Sequence, residues 1–126
     1  MEKAQFNDLE DRLIRFAISN IKTSEKVNNS YAGNHLKNQL VRSGISPALN
    51  YAEAQFAESK KDFIHKIRVV LKELSETRVC LKLIIMSGIY QGKLNLGSIL
   101  KESSELIAIF VTSINTAKKR KPTNNQ

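Results

Sequence analysis

The sequence predicts an all-α protein: an antiparallel up-and-down four-helix bundle whose second helix is kinked near Pro47. Three observations predict it. Gly and Pro are scarce, at 5 and 2 in 126 residues, whereas an all-β fold needs them at many turns. Apolar residues recur with the helical period over four long segments. Mostly short connections join those segments, which lays successive helices alongside one another. A chain of this length fits one domain. Its 41% hydrophobic content supplies a core, and the core is aliphatic because aromatics make up only 6% and Trp is absent. The domain is expected over residues 1–118, followed by a basic, disordered tail over 119–126.

The first helix is expected over 4–22, where Phe6, Leu9, Leu13, Phe16, Ala17 and Ile21 share one face. The polar stretch TSEKVNNSYAGN then reads as a loop. The second helix is expected over 34–57, with Asn34 as its N-cap. Leu36, Leu40, Pro47, Tyr51 and Ala54 cluster on one side, and Val41, Ile45, Ala48, Ala52, Leu49 and Phe56 widen it. The apolar sector covers roughly 220° of the wheel, against the ~100° stripe of an ordinary surface helix. Such a helix needs cover on two sides, so a subunit interface is expected beside the core. Its polar remainder is a narrow seam. Within it, Arg42, Ser46, Asn50 and Glu53 are expected to set helix or subunit registry through hydrogen bonds.

Pro47 admits two readings. Ser46-Pro47 could be the N-cap and first residue of a new helix. A capping box would then put Glu or Gln at position 49, where Leu49 stands. In the other reading Pro47 lies within one helix, where it frees the Ser43 carbonyl and bends the axis. The apolar face keeps register from Leu40 to Tyr51, which favours the kinked helix.

The third helix is expected over 59–87. Ser59 caps it, Asp62 stands three residues on, and Gly88 suits its C-terminal end. Phe63, Ile67, Val70, Leu74, Leu81 and Ile85 form its core stripe. Its second half, VCLKLIIM, is apolar nearly all round and again asks for more burial than one core supplies. SGIYQGKLN reads as a loop. The fourth helix is expected over 95–117 with Asn95 as cap and Leu96, Ile99, Leu100, Leu106, Ile107, Phe110 and Ile114 facing in.

The formal net charge is +8, and its distribution matters more than its size. Residues 1–59 and 83–117 are each balanced. Residues 60–82 carry +4, and the run Lys118-Lys119-Arg120-Lys121 carries another +4. Lys61, His65, Arg68 and Lys72 are spaced 4, 3, 4, so they share one outer helix face. With Lys118, Lys119, Arg120 and Lys121 they form the candidate nucleic-acid-binding set, because cations along a phosphate backbone release condensed counterions. The set carries no base-reading motif, which implies low sequence specificity.

No catalytic residues, metal ligands or cofactor site are expected, and the chain reads as no enzyme. The nearest approach to a di-iron motif, Asp62-Phe63-Ile64-His65, occurs once, and its polar residues point away from the core stripe. The single cysteine, Cys80, lies in an apolar run and reads as a small buried hydrophobe. The charged N-terminal stretch has no apolar signal core, and no run approaches ~18 apolar residues. The expected setting is cytoplasmic, with no membrane partner.

The segment SGISPALNYAEAQFAESKKDFIHKIRVVLKELSETRVCLKLI resembles the four-helix-bundle family known as 23S ribosomal RNA intervening-sequence proteins. The likeness is carried by Ser43-Gly44, Ser46, Asn50-Tyr51, Glu53-Ala54-Gln55, Glu58-Ser59-Lys60, Asp62 to Lys66, Leu71-Lys72-Glu73 and Glu76-Thr77. Glu102, Glu105-Leu106 and Ile114 extend it into the fourth helix. Pro47 departs from it, since the family usually has an apolar residue there. The resemblance implies an antiparallel bundle, homopentameric rings and nucleic-acid binding. Taken together, the expected protein is a pentameric, non-enzymatic bundle that binds nucleic acid, RNA first, through its basic helix face and tail. Its partners are then its own copies, RNA or DNA, and a nucleic-acid-handling protein. The alternative is a structural adaptor whose ring docks a protein partner.

Overall fold

Four helices account for the four periodic segments: α1 (Asp8–Ser24), α2 (Tyr31–Ala54), α3 (Lys60–Ser87) and α4 (Leu96–Lys119). The computed structural model describes residues 8–119. The expected helical start at residue 4, with Phe6, and the tail from Arg120 onward lie outside these residues. Among the described residues there is no strand, only an isolated antiparallel bridge between Val27 and Tyr90. That bridge ties the α1–α2 loop to the α3–α4 loop through Asn28 N–H to Ile89 C=O at 3.0 Å and Gln91 N–H to Lys26 C=O at 2.8 Å.

Local chemistry sets each boundary. Acidic residues Asp8, Glu10 and Asp11 occupy the first turn of α1, where the helix dipole favours them. α2 begins earlier than expected: Ser30, not Asn34, is its N-cap, and its hydroxyl accepts from Gly33 N–H at 3.0 Å. The same helix runs unbroken through Pro47, so the two-helix reading of Ser46-Pro47 does not hold. It stops at Ala54, short of the expected residue 57. Ser59 caps α3 by accepting from Asp62 N–H at 3.0 Å, and Gly88 closes α3 in the left-handed region at φ 74°. Asn95 Oδ1 accepts from Ser98 N–H at 3.1 Å and caps α4.

Each helix packs on its sequence neighbour, and α1 meets α4 more sparsely. The α1–α4 seam is held by a fork: Arg12 Nε and Nη2 donate to the Glu102 carboxylate at 2.7 and 2.8 Å, and Nη2 also reaches Glu105 at 2.9 Å. Gly44 lets α1 and α2 approach closely, since a Cβ there would lie 2.8 Å from the Asn20 side chain. The core is aliphatic around Leu13, Leu40, Ile67, Val70, Leu74, Leu81, Ile84 and Leu106. Each such side chain contributes about 1.5–3 kcal/mol through burial. Three aromatics complete it, Phe16 and the pair Tyr51 and Phe110, which meet edge-on at 5.7 Å.

One expected core position is corrected. Ile84 is fully buried and Ile85 faces out, because packing from α2 as well as α4 rotates the buried sector of α3. Leu49 and Phe56 are exposed: Leu49 lies on the outer side of α2, and Phe56 falls beyond its end.

Candidate nucleic-acid interface

The site is built by antiparallel pairing. The N-terminal half of α3 runs beside the C-terminal end of α4, which brings Lys118 to residues nearly sixty positions earlier in the chain. Lys60, Lys61, Ile64, His65, Arg68 and Lys118 line one open groove of about 540 Å³. Lys118, the first residue of the second charge concentration, therefore meets the first concentration on one surface. Lys72 is exposed on the same outer face, one turn beyond the groove, and Lys119 is exposed at the end of α4. Arg120 and Lys121 lie outside the described residues.

No acidic residue lines the groove. Among the described residues Lys61, His65, Arg68, Lys72 and Lys118 make no salt bridge. Cations on the α2 side of α3 differ. Lys66 Nζ meets Glu53 Oε1 at 2.6 Å, and its pKa is raised by that hydrogen bond and by the charge behind it. Arg42 donates from Nη1 to Glu73 at 2.9 Å, from Nη2 to Glu76 and from Nε to Gln39 at 3.1 Å. Its pKa is raised first by Glu76 and then by Glu73. Open cations sit on the outer face and committed ones sit at the helix seam.

Among the four expected registry residues, Arg42 and Glu53 thus bridge α2 to α3 within one chain. Ser46 and Asn50 do something else. The Asn50 amide donates to the Ser46 carbonyl at 3.0 Å and hydroxyl at 2.9 Å, so this pair stays within α2.

A second groove, about 700 Å³, runs between α2 and α3 at the far half of α3. Leu36, Val79, Cys80 and Leu83 give it an apolar floor, with Arg42 and Glu76 at its rim. Cys80 is buried there, its Sγ 3.4 Å from the Leu36 carbonyl, and burial pushes its thiol up to about 11. Among the described residues no group of three or more His, Cys, Asp or Glu side chains is placed to hold a metal ion, and no helix is long and apolar enough to cross a membrane.

With this geometry in view, comparison with known proteins is decisive for lineage. The family model described as 23S rRNA-intervening sequence protein matches residues 7–112. The chain belongs to this family. The crystal structure of a protein with unknown function from the S23 ribosomal protein family of Bacteroides thetaiotaomicron is similar at 30% identity. The match covers 84% of this chain and 97% of that one, with a TM-score of 0.75. No curated protein matches the chain.

Several features of this chain are invisible to sequence periodicity. Lys60 and Ile64 join the groove only because α4 lies alongside. Glu73 is buried although charged, because Arg42 reaches it from α2. Thr77, Ser43 and Ser103 are buried because their hydroxyls donate to carbonyls of their own helices.

Proposed function

We propose that this family member is a non-enzymatic homo-oligomeric bundle, a pentameric ring, that binds nucleic acid, RNA first, with low sequence specificity. The observation that carries the reading is the groove where Lys60, Lys61, His65 and Arg68 of α3 meet Lys118 of α4 with no lining acid. The stripe from Lys61 to Lys72 runs about 16 Å along the helix axis, long enough to follow several phosphates. A ring would repeat it and raise the avidity. The exposed apolar line Val79, Leu83 and Met86 supports assembly, since such surface is driven to bury itself. The setting we infer is cytoplasmic.

Binding to labelled single- and double-stranded RNA and DNA across a salt series tests this. Affinity present at low salt and falling with salt supports it. A partner protein captured by the ring that survives nuclease and high salt, with no nucleic-acid binding, would favour the adaptor alternative, for which the apolar α2–α3 groove speaks.

A further inference from the structure

The cationic groove handles charge but offers no Phe, Tyr or Trp for a base to stack on: its lining holds one apolar side chain, Ile64, and the small imidazole of His65. An aromatic does stand at the same end of the bundle. Phe56 is 86% exposed on the connection between α2 and α3. Its backbone is held, because Phe56 N–H donates to Glu53 C=O at 3.0 Å and Ala57 N–H to Ala54 C=O at 3.2 Å. A fixed turn carrying a bare ring is a preorganised contact. Three residues on, Ser59 caps α3, and Lys60 and Lys61 open the groove. Four Cα steps limit the Phe56-to-Lys60 separation to about 15 Å.

We propose that Phe56 is a base-stacking residue that makes this surface prefer unpaired nucleic acid over duplex. The inference rests on the nucleic-acid reading above and names its substrate class. Proteins that hold single strands without reading sequence combine a cationic track for the backbone with aromatic rings for the bases. A duplex offers its base faces only at its ends, so Phe56 has nothing to stack on along its length. The nearby Lys61 and Arg68, which make no salt bridge among the described residues, commit the occupant to a polyanion rather than to an apolar protein segment.

The test uses the full chain, a labelled mixed-sequence RNA strand, and the same strand annealed to its complement, at low salt. Phe56→Ala should weaken single-strand binding about fivefold or more and leave duplex binding within about twofold. Phe56→Tyr, which keeps the ring, should restore it. Because Phe56 is largely exposed, the melting temperature should not move. An unchanged single-strand affinity in Phe56→Ala overturns the inference, as does an equal loss on both probes or a change in assembly mass. If Lys61→Ala with Arg68→Ala still weakens binding in that case, only the role of Phe56 falls. If the wild-type chain binds neither probe, the nucleic-acid reading falls with it.

Discussion

The two halves of the outer face of α3 share one helix and one line of positions, yet they differ in chemistry. Lys61, His65, Arg68 and Lys72 are followed, past the turn that holds Ser75 and Glu76, by Val79, Leu83 and Met86 on the same helical line. Both sets are exposed; Val79 is 52%, Leu83 51% and Met86 82% accessible. The first half keeps its charged groups hydrated. The second loses free energy by leaving water. Exposure therefore means different things at the two ends of one helix. Centre to centre they lie about 24 Å apart along the axis.

The largest expected effect separates this line from the core beside it. Leu81→Ala should cost about 2–5 kcal/mol, whereas Leu83→Ala, two residues on but facing out, should change the monomer by no more than about 0.5 kcal/mol. Urea unfolding at a concentration low enough to keep the chain monomeric checks both. Equal losses would show that Leu83 is already packed and that the line is not free.

Next comes the seam that aims the line outward. Arg42→Met leaves the Glu73 carboxylate, only 8% accessible, without its main partner. The expected loss is about 1–2 kcal/mol, below the range for a fully buried pair because Arg42 itself is half exposed. Glu73→Gln in the same background should recover part of it.

The apolar half should respond in assembly rather than in stability. Val79→Lys with Leu83→Lys should keep the helical circular-dichroism signal and bring the mass in light scattering toward the 14.2 kDa of one chain. An unchanged large assembly would place the subunit contact elsewhere.

The smallest effect concerns Cys80. Its folded-state thiol pKa is raised by burial to about 11 from an ordinary 9.0. The stability linked to it is therefore intact below about pH 9 and is lost as pH rises toward 11. Melts between pH 8 and 11 should show a drop that Cys80→Ala removes, and alkylation of the native thiol at neutral pH should be slow.

Much of this was legible in the residues. Helix periodicity located four helices, and the caps Ser59 and Asn95 and the terminator Gly88 act as their types predict. Asn34 misled because a second good cap, Ser30, stood four residues earlier, and a propensity argument cannot choose between two. Ile85 misled because an apolar run offers several stripes, and only the positions of α2 and α4 decide between them. The basic face could be read from the spacing of Lys61, His65, Arg68 and Lys72. Its meeting with Lys118 could not, since that depends on which helices end side by side. Phe56 carried the faintest signal, since periodicity did not show that the helix ends at Ala54 rather than at residue 57.

The central claim is that the cationic half of α3 is a phosphate-binding surface. The direct measurement is the salt dependence of RNA binding by the wild-type chain and by Lys61→Ala/Arg68→Ala/Lys72→Ala. We predict that wild-type affinity falls steeply with salt, that the triple variant is weaker on every sequence, and that its log–log slope is shallower by about 2–3 for three lost contacts. A wild-type affinity that is absent at low salt, or a slope that the three substitutions leave unchanged, would contradict the account.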